Sequence, residues 1–314
     1  MLISAEKRWE LAPADPAIAA DIAESYGFSR PMARALVTRG LTAHADIDSF
    51  LQPRLANMTD PFVLPGMQKA VEMIWSHIEQ GSTILVYGDY DVDGVTATAL
   101  MIQVLSGLGA VATPFLPHRL EDGYGLGVDT LHRCVENYHP NLIITVDCGT
   151  SSVEAVHEAA RLGIDVIVTD HHEPAAEGIA EAGAMVNPKL GGCPDDIRML
   201  AGVGVAFKVC HGLLKEGRRR GIEAAAQVDL KSFMELVAVG TVADIVPLLG
   251  ENRILVYHGL ILLNRTHSVG LRTLIEATGI TGPVDTYQIG FIIGPRINAA
   301  GRLGNADAAL ELVL

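Results

Sequence analysis

Three apolar runs, each rich in β-branched residues, end just before acidic or imidazole side chains. The runs cover 84–87, 142–146 and 166–169. The polar residues that follow them are, in chain order, Asp89, Asp91 and Asp93; Asp147; and Asp170, His171 and His172. Because ligands of parallel α/β sheets bind beyond the carboxyl ends of the strands, we expect these side chains to converge on one crevice. Carboxylates this close repel one another unless cations are bound, so the pattern predicts a metal site.

The pattern around these runs predicts how the crevice is built. Strands are predicted at 84–88, 111–116, 142–147, 164–169 and 184–187, with helices at 94–108, 128–138 and 152–162. This alternation predicts an α/β fold with a doubly wound, mainly parallel sheet and right-handed crossovers. Later helical patterns lie at about 200–216, 230–240, 250–264, 268–278 and 285–293. A content of 49% hydrophobic and 5% aromatic residues suits such a fold.

The sequence carries no sign of a membrane or secretory location. Residues 1–16 lack the continuous apolar core of a signal peptide, and no stretch approaches the ~18 uninterrupted apolar residues of a spanning helix. We therefore expect a soluble, cytoplasmic protein without a membrane partner. The four cysteines form no C-x-x-C pair, which predicts reduced and mostly buried thiols and argues against a zinc finger.

The net charge of −14 argues at first against a nucleic-acid partner, because phosphate binding normally uses a basic surface. Several of the acids, however, are candidate metal ligands whose charge bound cations would cancel. Charge summed over a whole chain also says little about one groove. Acidity alone therefore does not exclude DNA.

Individual motifs leave alternatives open. Residues 89–94 read D-Y-D-V-D-G, like a calcium-binding EF-hand loop, but position 12 of that loop is Leu100 instead of glutamate and a strand precedes it. Asp147 and Asp244, taken singly, could each be a metal ligand or a helix cap. No G-x-x-x-x-G-K segment occurs, which excludes a P-loop nucleotidase.

The adjacent histidines and several isolated arginines carry more specific signals. Two neighbouring histidines in a turn point in different directions, so His171 can bind metal while His172 faces substrate, and Asp170 can orient a ring. Arg119, Arg296 and Arg302 are expected in glycine-rich loops, where a forked guanidinium suits phosphate.

These motifs together resemble the DHH phosphoesterases, a family named for the motif that here is 170–172. The resemblance runs from about residue 50 to the end of the chain. Its segments are 87–94, 146–149, 170–172, 201–204, 239–247 and 294–303. Four ordered metal motifs and a final arginine segment make the match highly specific.

The resemblance implies a site with two divalent cations, Mn(II) preferred or Mg(II). It implies that Asp91 and Asp147 hold one ion, with Asp89 helping through water. The ligands implied for the other ion are Asp93, Asp147, His171 and Asp244. Catalytic roles are implied for His172, Asp89 and Asp170, and contacts to DNA phosphates for Arg119, Arg296, Asn298 and Arg302. Tyr87 stands where pyrophosphatase relatives have a histidine ligand.

The activity implied is 5′-to-3′ exonucleolytic hydrolysis of single-stranded DNA in recombination and repair. The alternative is a phosphodiesterase of the same family that acts on short oligonucleotides, cyclic dinucleotides or nucleoside bisphosphates. A catalytically silent scaffold is a third possibility, which loss of metal ligands would mark, and here all are present. The implied partners are single-stranded DNA and repair proteins such as a single-strand-binding protein or a helicase, with the enzyme itself a monomer.

The expected division is an N-terminal helical segment over 1–78, the catalytic domain over 79–265 and a helical connector over 266–314. Residues 306–314 read as a helix without a capping glycine or proline. Since such exonucleases continue into a family-associated domain and an OB-fold, we expect a truncated connecting helix here. We also expect this chain to keep the metal centre but to bind DNA weakly.

Overall fold

The computed structural model describes residues 10–118, 123, 125–176, 178–302 and 306–314. The chain divides into two compact units, Met1–Asn57 and Met58–Leu314. The predicted boundaries at 78 and 265 stay predictions.

The smaller unit contains three short helices. They are α1 (Pro16–Tyr26), α2 (Arg30–Val37) and α3 (His44–Leu51). Asp15 begins α1 because its carboxylate accepts hydrogen bonds from the backbone N–H groups of Ala17 and Ile18. The helices share a small core that includes Ile22, Leu36 and Ile47.

The larger unit is built on a five-stranded parallel sheet. The strands are β1 (Thr83–Tyr87), β2 (Val111–Phe115), β3 (Leu142–Val146), β4 (Asp165–Thr169) and β5 (Ala184–Val186). Their order is β2-β1-β3-β4-β5, and every neighbouring pair is parallel. The prediction of a doubly wound, mainly parallel sheet is confirmed. In this order the chain reverses its direction of winding at β1, where β2 and β3 lie on opposite sides, and such a switch point opens a ligand crevice.

Helices cover both faces of the sheet. The helices before and within the sheet region are α4 (Met67–Glu79), α5 (Val92–Gly107), α6 (Val128–Tyr138) and α7 (Val153–Arg161). Those after it are α8 (Asp195–Arg198), α9 (Gly202–Arg219), α10 (Glu223–Gln227), α11 (Met234–Ala243), α12 (Gly250–Leu263), α13 (Val269–Ala277), α14 (Thr286–Gln288), α15 (Gly294–Arg302) and α16 (Ala306–Val313). A π-helical turn, Ile289–Ile293, joins α14 to α15.

The two faces have different cores. Helices α6 and α7 bury residues such as Leu131 and Val156 against Leu85, Ile143 and the rest of one face. On the opposite face α5 and α9 contact the central strands, and α4 contacts β5. The strands read as continuous apolar runs because both faces are covered, as parallel sheets require.

The expectation of a glycine-rich loop over 294–303 is wrong, because residues Gly294–Arg302 form helix α15. Its glycines serve close packing instead of turns. A Cβ atom on Gly294 would lie 3.4 Å from the Cβ atom of Ala243, and one on Gly301 would lie 2.7 Å from the carbonyl oxygen of Tyr90. Small residues thus let α15 approach the end of α11, next to Asp244, and the loop that carries Asp89 and Asp91.

Two compositional expectations can be compared with the structure. All four cysteines are free; Cys134, Cys148 and Cys210 are buried and Cys193 is half-buried, as predicted. Among the described residues, no helix has both the length and the apolar character needed to cross a bilayer.

Candidate metal centre

The candidate ligands follow three strands that are neighbours in the sheet. β1, β3 and β4 lie side by side, and their carboxyl ends share one edge. The loop after β1 and the first turn of α5 carry three aspartates, the residue after β3 is Asp147, and the turn after β4 is formed by 170–172. The predicted convergence therefore arises from strand adjacency, before any side chain is considered.

Asp91 and Asp93 are held by the start of α5. Asp91 caps this helix, its Oδ1 accepting a hydrogen bond from the backbone N–H of Gly94 at 3.0 Å. Asp93 lies in the first turn and is buried. Its two carboxylate oxygens accept from the N–H groups of Gly202 at 2.6 Å and Val203 at 2.9 Å, which are the first residues of α9. The positive ends of two helices therefore meet at this carboxylate.

Asp147 adopts an unusual backbone conformation. Its φ is 63°, in the left-handed region, which aspartate tolerates better than most residues. Its N–H donates to the carbonyl of Thr169 at 3.0 Å, so the turn continues the pairing of β3 with β4. A Cβ on Gly202 would overlap the Asp147 carboxylate, so glycine is required where α9 begins.

His171 lies at the centre of the acids. Its Nε2 is 3.1 Å from Oδ1 of Asp147, 3.7 Å from Oδ2 of Asp244 and 3.8 Å from Oδ2 of Asp93. The ring is buried, and burial, reinforced by the charge of His172, lowers its pKa to about 4. The neutral ring therefore presents Nε2 as a lone-pair donor at neutral pH, the form that binds metal.

His172 is partly exposed, and its Nδ1 lies 4.0 Å from Oδ1 of Asp147, at the edge of this cluster. Its Nδ1 lies 2.8 Å from Oδ1 of Asp170. Burial lowers the pKa of His172, but the hydrogen bond and charge of Asp170 outweigh it, so the pKa is raised. Burial raises the pKa of Asp170, whereas hydrogen bonds from His172 and Thr150 lower it by more, and the net shift is downward.

Asp244 reaches the cluster from a different part of the fold. It caps the carboxyl end of α11, which packs against α5 and α9. The next residue, Ile245, has a φ of 63° and is 88% exposed, a strained conformation for a β-branched side chain.

The carboxylates raise one another's pKa values. Burial and then the charges of Asp244 and Asp91 raise the pKa of Asp93 well above its usual value. Burial and then Asp93 do the same for the pKa of Asp147. For Asp244, burial and then Asp91 raise the pKa to about 6. Deprotonated together, these carboxylates would be buried negative charges that need bound cations to balance them.

Three overlapping groups of side chains have the spacing to hold metal ions. Within each group the potential ligand atoms lie within 4.8 Å of one another. The groups are Asp89, Asp91 and Asp147; Asp93, His171 and Asp244; and Asp147, His171 and His172. Nε2 of His171 and Oδ2 of Asp244 are buried and make no hydrogen bond with the described residues. Mixed imidazole and carboxylate donors with such orphaned atoms fit a divalent cation such as Mn(II).

The predicted ligand sets overlap these groups without coinciding with them. Asp91 lies with Asp147, and Asp93 lies with His171 and Asp244, as the resemblance implied. Asp89 joins Asp91 and Asp147 as a direct candidate, whereas a contact through water was implied for it. Asp147 belongs to two groups and is suited to bridge two ions.

The predicted phosphate-binding residues are less completely described. Arg119 lies outside the described residues, as does the side chain of Arg302. Arg296 is exposed on α15, and its Nη1 donates to the carbonyl of Ile292 at 2.8 Å. Asn298 accepts, through Oδ1, a hydrogen bond from the N–H of Val92 at 3.1 Å. Asn298 thus holds the segment between Asp91 and Asp93, and its DNA-binding role stays a prediction.

Sequence reasoning missed the residues that support the turn after β4. Thr150 donates its N–H to Oδ2 of Asp170 at 2.9 Å. Asn187, fully buried after β5, donates to the hydroxyl of Thr150 at 2.8 Å and to the carbonyl of His172 at 2.9 Å. The sequence did offer one signal for Asn187, because a polar residue directly after the fifth strand lies at the same edge of the sheet as the candidate ligands.

Gly240 was missed as well. A Cβ there would lie 2.9 Å from Oδ1 of Asp93, so α11 can approach this carboxylate only at a glycine. The apolar run around it gave no sign of that contact.

The sequence matches the family model for the DHH family, N-terminal domain, over residues 83–241. The match covers the whole sheet and most of the ligand segments, and the chain belongs to the DHH family.

Known relatives agree in sequence and in structure. The chain is 38% identical over 314 residues to the single-stranded-DNA-specific exonuclease RecJ of Bacillus subtilis (strain 168), covering 100% of this chain and 38% of that protein. It resembles the structure of RecJ in complex with Mn²⁺ from Thermus thermophilus, with 35% identity, a TM-score of 0.79 and coverage of 97% of this chain and 42% of that one. A structure of exonuclease RecJ bound to manganese shows 39% identity, a TM-score of 0.72 and coverage of 83% and 63%. The chain thus spans well under half the length of the Bacillus protein.

Proposed function

We propose that this chain is a metal-dependent phosphodiesterase that removes nucleotides from the 5′ end of single-stranded DNA, using two divalent cations. The observation that carries the proposal is the position of His171 Nε2, within 4 Å of carboxylate oxygens of Asp93, Asp147 and Asp244. The relatives named as single-stranded-DNA-specific exonucleases, and those whose structures contain manganese, support the choice of substrate and metal.

The acidic and imidazole side chains of the site can hold two cations. Asp91 and Asp147 would hold one cation with Asp89, and Asp93, His171 and Asp244 would hold the other with Asp147 shared. Bound divalent cations polarise a phosphate, lower the pKa of a water molecule and stabilise a departing oxygen. The two helix N-termini at Asp93 keep that carboxylate fixed, so little reorganisation is needed during reaction.

His172 is suited to donate a proton to the departing 3′ oxygen. Asp170 holds Nδ1 at 2.8 Å and raises the pKa of the ring, so the imidazolium form persists at a higher pH than in a free histidine. Because the ring is partly exposed, its Nε2 can reach substrate. Asp170 acts as a positioning residue, supported by Thr150.

A cavity at the same edge of the sheet as the candidate ligands offers space for the strand terminus. It has a volume of about 220 Å³ and lies at the carboxyl end of β2, next to β1. Its lining includes His118, Arg133 and Gly301 of α15. We infer that this cavity receives a phosphate, because Arg133 lines it. Action in the cytoplasm, a monomeric state and cooperation with a single-strand-binding protein or a helicase are parts of the same proposal.

The first experiment is hydrolysis by the whole chain with Mn(II). The substrates are a 5′-phosphorylated, end-labelled single strand, the matching duplex, short oligonucleotides and a cyclic dinucleotide. Stepwise release of nucleotides from the 5′ end of the single strand is the expected result. Cleavage confined to the short or cyclic substrates would reject single-stranded DNA as the substrate of this chain and favour a small-molecule phosphodiesterase.

A further inference from the structure

An exposed aromatic pair lies directly before α15. The rings of Tyr287 and Phe291 have centroids 4.9 Å apart with an interplanar angle of 32°. The two residues are 60% and 71% exposed. Aromatic side chains this accessible lose the free energy that burial would provide, so two of them in contact suggest an interaction surface.

The pair is tied to the metal centre through the helix that follows it. Phe291 lies three residues before Gly294, which packs against Ala243, the neighbour of Asp244. Further along α15, Asn298 bonds to the N–H of Val92, between Asp91 and Asp93. At about 1.5 Å of rise per helical residue, Phe291 lies roughly 10 Å along the helix from Asn298.

The charges next to the pair suit a polyanion. The guanidinium of Arg296 lies back over the carbonyl of Ile292, adjacent to Phe291, and is exposed. The nearest acid along the chain, Asp285, accepts hydrogen bonds from the N–H groups of Tyr287 and Gln288 at the start of α14. Its negative charge is therefore directed to that helix end.

We propose that Tyr287 and Phe291 form a stacking surface for unpaired nucleobases, with Arg296 contacting the adjoining phosphate. The inference rests on the proposed function, since it names the contact that favours single strands at the same site. Every base has a π-face, and bases in a duplex are already stacked, so such a surface selects single strands without reading sequence.

The test is binding of a fluorescent 15-nucleotide oligothymidylate to the whole chain in EDTA, measured by anisotropy, beside an abasic strand of equal length. Stacking on aromatic rings is worth enough that Y287L/F291L should bind the intact strand ~10-fold or more weakly. Binding of the abasic strand should be unchanged. The matched control is Tyr257→Leu, because Tyr257 lies on α12 and is 48% exposed. This substitution should change the binding of neither the intact nor the abasic strand.

The proposal is overturned if wild-type chain binds intact and abasic strands equally, or if Y287L/F291L keeps the wild-type preference. Self-association of the wild-type chain that the double substitution abolishes would also overturn it, and assign the surface to a second copy. Failure of the proposed function has a separate signature. In that case hydrolysis with Mn(II) is confined to short substrates, whatever the ratio of intact to abasic binding.

Discussion

Neutral His171 and the turn that carries it are central to the site's chemistry. Its Nε2 is buried among three carboxylates, and the next residue, His172, is held by Asp170 in a different role. Under the proposed function, these adjacent residues would divide metal binding and proton transfer between them.

Replacing His171 should remove activity without unfolding the chain. Since loss of even the partners of a metal ligand commonly costs 10–100-fold, we expect His171→Ala to lower kcat/KM with Mn(II) by more than ~100-fold. The thermal unfolding midpoint without metal should move little, because a neutral ring among acids contributes few favourable contacts. His157→Ala, at an exposed position of α7, is the control. Retained activity in His171→Ala would reject this residue as a ligand.

Replacing Asp170 should shift the pH dependence of hydrolysis. The Asp170 carboxylate raises the pKa of His172. Without this charge, the imidazolium form of His172, which is the proposed proton donor, loses its proton at a lower pH. We expect Asp170→Asn to move the alkaline limb of kcat against pH to lower pH, and His172→Gln to reduce kcat by ~10²–10⁴-fold. Glu173→Gln, an exposed carboxylate in the same loop, should leave the limb in place. An unchanged limb in Asp170→Asn would exclude His172 as the proton donor.

Helices α9 and α12 are joined by a buried ion pair that has no contact with the metal ligands. Lys208 of α9 donates to both carboxylate oxygens of Glu251 at 3.0 and 2.8 Å and to the carbonyl of Thr59 at 2.6 Å. Both side chains are buried. Burial lowers the pKa of Lys208, and the charge of Glu251 opposes that change. The pair fixes α9, whose first turn holds Asp93.

Breaking this pair on one side should destabilise the larger unit. Because Lys208→Met leaves Glu251 charged, buried and unpaired, we expect the free energy of unfolding in denaturant to fall by about 3–5 kcal/mol. K208M/E251M should recover at least half of that loss. Lys215→Met breaks an exposed pair with Asp60 and should cost under about 1 kcal/mol. If Lys208→Met lowered the free energy of unfolding no more than Lys215→Met, the buried pair would contribute no more stability than an exposed one.

Stability of the whole chain should depend on pH and metal together. The folded-state pKa values of Asp93, Asp147 and Asp244 are raised. Without metal, these groups therefore favour the folded state below about pH 4. This contribution to stability is lost as the pH rises through the folded-state pKa, which is about 6 for Asp244. His171 and His211 have the opposite effect, because burial lowers each pKa to about 4 and stability falls as pH drops from 6.5 toward 4.

Metal should reverse the effect of the acids. Because ligands must be deprotonated to bind, the rise in unfolding temperature caused by Mn(II) should be larger at about pH 7.5 than at about pH 5. Asp244→Asn should reduce this rise, whereas Glu173→Gln should not. A rise independent of pH in wild-type chain would indicate that the ion binds elsewhere.

The sequence by itself determined the parallel sheet and the edge that bears the acids. Apolar runs of five or so residues that stop at aspartates depend only on local pattern, and strand adjacency then brings Asp91, Asp147 and His171 together. Helices α9, α11, α12 and α13 were also predicted, since their apolar periodicity is local.

Only the tertiary structure decided how the acids are held. The helix ends that bond to Asp93, the buried Asn187 behind Asp170 and the approach of Gly240 all join residues far apart in the chain. The same holds for α15: its glycines suggested a loop, but contacts with Ala243 and Tyr90 make close helix packing more favourable than a turn. Local pattern carries no information about such partners, because their free energy exists only once the chain has folded.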